Sequence, residues 1–161
     1  MTAVILASWP NGAAFWNRAG RFMDVILHLG SHRAGSTTFQ SYMRRSHSEL
    51  SNRQIGYWGP QRTRQGLFVG VVPSSSMRDV PKMQARAVGR VQMQMGSAAQ
   101  SDVRKLLISY ENMIGSVRHN LRKRALYPAI GQRMAQYAQA FEGHLKRVVL
   151  NVQAHDLYWA S

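Results

Sequence analysis

The chain has 161 residues, 45% of them hydrophobic, which is enough for one domain with a real core. It contains no Cys, and this excludes disulfides, thiolate chemistry and Cys-ligated zinc. Lys and Arg number 21 against 7 acids, giving a net charge of +14, so we expect attraction to polyanions. The basic residues are dispersed and accompany no zinc finger, basic zipper or RNA-binding aromatic signature, so we do not expect specific nucleic-acid binding.

Two targeting features are also excluded by the pattern of apolar residues. The sequence has no apolar run long enough for a membrane span. Its N-terminal apolar stretch has no basic region ahead of it, which argues against a secretory signal. Together with the absence of Cys, this predicts a cytoplasmic protein.

The first part of the chain divides into an extension and the start of a domain. Residues 1–22 lack clear periodicity, and we predict that they form a peripheral extension to a domain at 23–161. Asp24–Leu29 is apolar at nearly every position, as in a buried parallel strand. A helical pattern follows from Gly35 to about Ser48, with Ser36 or Thr37 as its cap.

The middle of the chain contains a short strand and a long helix. Ile55–Trp58 is predicted as a strand that ends at Gly59-Pro60. The stretch Leu67–Val72 fits either a strand or a packed loop. Asp79–Met95 is predicted as a helix with Pro81 in its first turn, ending at Gly96-Ser97.

The last third repeats the alternation of strand and helix. We predict a strand at Val103–Ser109, a basic connection at Gly115–Arg124, a helix from Pro128 to about Gly143, a strand at Arg147–Val152 and the start of a helix at Asp156–Ala160. Such alternation predicts an α/β fold with a parallel sheet. Ligands bind beyond the carboxyl ends of the strands in such sheets. Three candidate sites therefore follow the strands: the Gly30 loop, Glu111, and the segment after Val152.

The segment Gly30–Thr38 has the composition of an anion-binding loop between a strand and a helix. An ATP-binding P-loop has Lys directly after its second Gly, but this chain has Ser36 after Gly35. The basic residue, Arg33, lies two positions before Gly35 instead. This spacing disfavours a P-loop kinase or NTPase, as does the lack of an Asp ending a second strand.

The order basic–small–Gly–[Ser/Thr]–Thr resembles the 5′-phosphosulfate loop of sulfotransferases, Lys-[Ser/Thr]-Gly-[Ser/Thr]-Thr. The surrounding sequence is similar to the bacterial version of that family, His-Ile-Gly-x-His-Lys-Thr-Gly-Thr-Thr. The residues that match are His28, Gly30, His32, Gly35, Ser36, Thr37 and Gln40. Arg33 replaces the Lys, and Ala34 replaces Ser/Thr. The resemblance implies a P-loop NTPase-like three-layer sandwich, the donor 3′-phosphoadenosine 5′-phosphosulfate and no metal.

The resemblance also implies roles for particular residues. Arg33 would neutralise the leaving phosphate, although Arg and Lys are not equivalent at such a site. Glu111, in a segment similar to the family's Ser-x-Glu-Asn, is the candidate base for the acceptor's proton, with His32 a second candidate base or phosphate contact. Alternatively, Glu111 caps the next segment or pairs with an Arg. We expect His28 to be a core histidine. The predicted donor-binding residues are Gly30, Arg33, Ala34, Gly35, Ser36, Thr37, Thr38, Gln153 and Ser161.

Gln153 and Ser161 belong to the third site. In the family, an Arg at the end of a strand and a Ser eight positions later bind the donor's 3′-phosphate. Ser161 has that spacing, but Gln153 replaces the Arg and removes a charge-assisted contact. Family members also usually continue past this point, so the chain is similar to the N-terminal part of such a domain, and we expect a truncated or degenerate member.

The expected function is transfer of a sulfuryl group to a hydroxyl or amine acceptor, which could be a carbohydrate, a lipid or another small molecule. Arg33, Ala34 and Gln153 leave a second interpretation open: a catalytically inactive remnant that binds nucleotides or polyanions.

Overall fold

The computed structural model describes residues 2–8, 23–30, 35–74 and 77–153 of the chain. Within these residues a single sheet is flanked by helices. The strands are β1 (Thr2–Ser8), β2 (Asp24–Gly30), β3 (Ile55–Trp58), β4 (Lys105–Ser109) and β5 (Leu145–Gln153). They lie in the order β1-β5-β2-β4-β3. Neighbours among β2 to β5 pair in parallel, and β1 is antiparallel to β5. The predicted α/β fold with a parallel sheet is confirmed, with an added antiparallel edge strand.

The connections between strands are mostly helical. The helices are α1 (Ser36–Arg45), α2 (His47–Asn52), α3 (Pro60–Arg62), α4 (Val80–Gln100), α5 (Val117–Lys123) and α6 (Ile130–Ala140). A π-helical turn, Thr63–Leu67, follows α3 and is kinked at Gly66, whose φ is 90°. A 3₁₀ turn, Glu111–Met113, follows β4.

The two faces of β2 meet different helices. Its side chains alternate between the faces of the sheet. Val25, Leu27 and Leu29 are buried in one cluster with residues of α4 and α6, including Val91 and Ala140. The His28 ring faces α1 instead and lies 4.2 Å from the Phe39 ring, between centroids. Helices therefore cover the sheet on both sides, as in an α/β sandwich.

The strand order creates a crevice at the carboxyl ends of β2 and β4. From β2 the chain passes beyond β4 to form β3, whereas from β4 it returns past β2 to form β5. The segments that leave these two neighbouring strands thus diverge. A divergence of this kind is where ligands bind in open α/β sheets.

Several predicted boundaries differ from the structure. Residues 2–8, predicted to be peripheral, form β1 and pair along the whole of Arg147–Gln153. The prediction that α4 ends at Gly96-Ser97 is wrong: the helix continues to Gln100, because buried Met95 and Ala99 hold its last turns against the core. The basic connection after Gly115 contains α5.

The ambiguous stretch at 67–72 is a packed loop, in which Leu67, Phe68 and Val71 are buried. The predicted helix at Asp156–Ala160 lies outside the described residues. None of the helices within the described ranges has both the length and the apolar character needed to cross a membrane.

Candidate functional site

Two glycines shape the junction between β2 and α1. Gly30 ends β2, and a Cβ added there would lie 3.1 Å from the Ser36 Cβ and 3.2 Å from its Oγ. Gly35 immediately precedes α1 with a φ of 76°, a conformation that favours glycine. No described residue would lie within 4 Å of a Cβ added at Gly35. The start of the helix therefore packs against the strand end, and no described residue fills the space beside Gly35.

The first turn of α1 has features that favour anion binding. No side chain among the described residues caps it, and it holds no acidic residue. The prediction that Ser36 or Thr37 is the cap is therefore wrong, because Gly35 holds that position. The first helical backbone bond runs from the Phe39 N–H to the Gly35 carbonyl, at 3.3 Å. The preceding N–H groups have no acceptor within the helix, and the helix dipole adds partial positive charge.

Glu111 lies directly beyond the end of β4, on the 3₁₀ turn, with 15% of its side chain exposed. Arg64 Nη2 donates to Glu111 Oε1 at 2.7 Å, which forms an ion pair. Gln40 Nε2, from the middle of α1, donates to Glu111 Oε2 at 3.3 Å. The candidate base is thus tied to the helix that follows the glycine loop.

A network of buried and half-buried polar side chains continues from Gln40 beneath α1. Gln40 Nε2 also donates to Ser109 Oγ at 3.2 Å, and His28 Nδ1 lies 2.8 Å from the same oxygen. Asn151 Nδ2 lies 3.0 Å from His28 Nε2. Because the amide donates to Nε2, the neutral ring carries its proton on Nδ1 and donates it to Ser109. This network links β5, β2, β4 and α1.

Burial and hydrogen bonding act differently on Glu111 and His28, two titratable groups that this hydrogen-bond network connects. Burial alone would raise the pKa of Glu111, but hydrogen bonds from its own backbone, Arg64 and Gln40, with the charge of Arg64, lower that pKa overall. Glu111 is therefore a carboxylate at neutral pH. Burial lowers the pKa of His28, so its ring is neutral. The prediction that His28 is a core histidine is confirmed, since it is 4% exposed.

A cavity of about 560 Å³ opens beside Glu111 between α1 and the turn after β3. We call it the basic pocket; its lining includes Thr37, Gln40, Arg44, Arg62, Arg64 and Glu111. Tyr57 also lines it, and the Tyr57 hydroxyl is buried without a hydrogen bond of ordinary geometry to a described residue. Burial raises the pKa of Tyr57, and the nearby Ser109 hydroxyl partly offsets that rise.

The structure gathers part of the predicted site at one edge of the sheet. Gly30 and Gly35 lie at the β2–α1 junction, with Ser36 buried and Thr37 and Thr38 exposed in the first turn of α1. Gln153 ends β5 at the same edge, since β5 runs parallel to β2 with Asn151 opposite Gly30. The remaining predicted residues lie outside the described ranges: His32, Arg33, Ala34 and Ser161.

Other members of the site were not predicted as site residues. Gln40 entered only as a matching letter of the loop motif, and Arg64 only as one of the dispersed basic residues. Ser109 joins the network because His28 lies opposite it in the parallel register. The position of Ser109 at the end of an apolar strand was a signal in the sequence. Its hydrogen bond to His28 could be inferred only once β2 was known to pair with β4.

No protein-family model, curated protein or solved structure matches this chain.

Proposed function

We propose that this protein is sulfotransferase-like: it binds 3′-phosphoadenosine 5′-phosphosulfate and transfers the sulfuryl group to a hydroxyl or amine acceptor. One observation carries the proposal. The N-terminus of α1, which no described side chain caps, follows a glycine junction, and the same helix contacts the Glu111 carboxylate through Gln40. This arrangement supports an anion site and a candidate base on one element, at the edge of the sheet where α/β enzymes bind ligands.

The described residues fit a phosphosulfate-type anion. No described residue fills the space beside Gly35, the first N–H groups of α1 lack helical acceptors, and no carboxylate lies in that turn to repel an anion. Thr37 and Thr38 add exposed hydroxyl groups that can donate hydrogen bonds. The donor, when bound, supplies a sulfuryl group attached to a phosphate leaving group.

Glu111 is the proposed base in this transfer. Its carboxylate takes the proton from the acceptor's O–H or N–H as the new bond to sulfur forms. The bond between sulfur and the bridging oxygen breaks, and its electron pair stays with the departing phosphate. The charge of Arg33 would stabilise that phosphate without donating a proton, because a guanidinium stays protonated near neutral pH. Arg64 must release one oxygen of Glu111 for the proton to be accepted there.

A second candidate function is nucleotide or polyanion binding without catalysis. The ion pair between Arg64 and Glu111 favours it, because a paired carboxylate with a lowered pKa is a weak base. Gln153 favours it too, since an amide forgoes the charge-assisted contact of an Arg. The polar network beneath α1 would then serve stability alone.

Titration with 3′-phosphoadenosine 5′-phosphate tests nucleotide binding, which both candidate functions require. We expect this bisphosphate to bind more tightly than AMP by calorimetry, and to retain that preference at raised salt. Gly35→Ala should weaken binding of the bisphosphate, since an L side chain is strained at this φ. Gly96→Ala is the matched control, because its Cβ meets nothing within 4 Å on α4. Equal, salt-sensitive responses to both nucleotides would overturn the proposed donor site.

Transfer of radiolabelled sulfuryl groups separates the enzyme from the non-catalytic binder. Under the first candidate, the wild type labels an acceptor from a panel of hydroxyl and amine compounds, and Glu111→Gln loses the labelling while keeping bisphosphate affinity. A protein that binds the bisphosphate but labels no acceptor in the panel is the binder. Gln153→Arg should raise bisphosphate affinity under either candidate, and no gain would contradict the role given to this position.

A further inference from the structure

The basic pocket holds more positive charge than its own acid can neutralise. Three arginines line it, Arg44, Arg62 and Arg64, against the single carboxylate of Glu111. Arg64 is already paired with that carboxylate. Arg44 and Arg62 therefore face the same cavity as the candidate base without a carboxylate of their own among the described residues.

Two neutral side chains contact the Arg62 guanidinium. Its guanidinium carbon lies 4.7 Å from the centre of the Trp58 ring, and Trp58 is 2% exposed. Arg62 Nη2 also donates a short hydrogen bond to Gln94 Oε1. A guanidinium has five N–H donors, so these two contacts leave others available. Because these contacts restrict the side chain, binding a ligand there loses less conformational entropy than at an unrestrained Arg.

Arg44 supplies the second unneutralised charge of the pocket. It lies in the last turn of α1, and its side chain makes no ion pair or hydrogen bond with a described residue. Its charge is close enough to act on Tyr57, although burial has the larger effect and raises the pKa of that phenol. The Tyr57 hydroxyl offers a donor without a hydrogen bond of ordinary geometry to a described residue, beside Arg44.

We propose that the basic pocket selects an acceptor that carries an anionic group, a carboxylate or an oxyacid ester, which Arg44 and Arg62 bind while its hydroxyl faces Glu111. This inference rests on the proposed function, and it narrows the acceptor class to anionic hydroxyl compounds. Arg–carboxylate contacts are charge-assisted and often bidentate, so they orient a ligand as well as attract it. A cavity of about 560 Å³ has the size of a small-molecule site.

Binding of glucuronate and glucose tests the proposal, since the two sugars differ mainly in one carboxylate. Both are titrated by NMR at fixed ionic strength, with the donor loop filled by 3′-phosphoadenosine 5′-phosphate. We expect glucuronate to bind about tenfold more tightly than glucose, as one charge-assisted contact predicts. Arg44→Gln/Arg62→Gln should abolish that preference. Arg44→Gln alone should reduce it, which keeps the test valid if losing Arg62 disturbs Trp58.

Arg118→Gln/Arg122→Gln is the control, because it removes the same charge from exposed positions of α5 that do not line the basic pocket. It should leave the preference unchanged. Equal binding of the two sugars, or equal losses in both double variants, would overturn the proposal. If the preference persists without added nucleotide in a protein that does not bind the bisphosphate, the donor assignment fails while the anionic pocket stands. If the protein binds the bisphosphate but binds the two sugars equally, the pocket assignment fails while the donor assignment stands.

Discussion

His28 shows how one buried residue couples stability to pH. Its pKa is lowered in the folded protein, so the unfolded chain binds more protons between that value and about 6.5. Protonation would also place a second N–H on Nε2, facing the amide donor of Asn151. We therefore expect the contribution of His28 to the free energy of unfolding to reach its full value above pH 6.5. It should decrease as the pH falls toward the lowered pKa of His28.

His28→Gln tests this by urea unfolding at pH 7.5 and 5.5. At the higher pH the variant should lose about 1–3 kcal/mol, because it leaves buried Ser109 without one hydrogen bond. Its stability should then change less with pH than that of the wild type. His47→Gln is the control, since His47 is exposed. The account of His28 fails if both variants keep the wild-type pH dependence.

Arg64 controls the charge state of Glu111. Burial raises the pKa of Glu111, whereas the Arg64 hydrogen bond and charge both lower it. Arg64→Gln should therefore raise that pKa, as measured by the carboxyl carbon shift of Glu111 in an NMR titration. Arg53→Gln, which breaks the exposed Arg53–Glu49 pair, should leave it unchanged. An unaltered Glu111 pKa in Arg64→Gln would show that this ion pair does not persist in solution.

At the scale of elements, a glycine inside α4 and the glycine that precedes α1 should respond in opposite ways to substitution by Ala. Gly96 lies inside α4, and a Cβ added there would meet nothing within 4 Å, so Gly96→Ala should stabilise the protein by about 0.5–1 kcal/mol. Gly35 precedes α1 at a φ of 76°, so Gly35→Ala should destabilise it by about 1–2 kcal/mol. Thermal and urea unfolding measure both. Shifts of the same sign would contradict the assignment of Gly35 to the left-handed region.

The sequence predicted elements whose signal is local and missed those that depend on distant partners. Ile55–Trp58 was predicted with its observed bounds, and the parallel strands were found because both of their faces are apolar. β1 was missed, because its place in the sheet depends on pairing with β5 at the other end of the chain. The end of α4 was misplaced because tertiary packing of Met95 and Ala99 outweighs the helix-breaking tendency of Gly96.

The same division applies to the candidate site. The glycine junction and Glu111 could be chosen from the sequence, since each follows an apolar strand. Gln40 and Arg64 could not be assigned to Glu111, because they approach it across 71 and 47 residues of chain. The basic pocket depends on α1 meeting the turn after β3, and no local pattern specifies that contact.

At the scale of the whole molecule, the charge of +14 should oppose folding at low ionic strength. With 21 basic residues against 7 acids, few of the repulsions can be offset by ion pairs. Raising NaCl from about 10 to 150 mM shortens the Debye length from about 30 to 8 Å, which screens exposed charges. We expect Tm to rise over this range. The charge-reducing variant Arg118→Gln/Arg122→Gln should start from a higher Tm at low salt and gain less from added salt. A Tm that falls or stays constant with salt in both proteins would show that charge repulsion is not a significant cost to this fold.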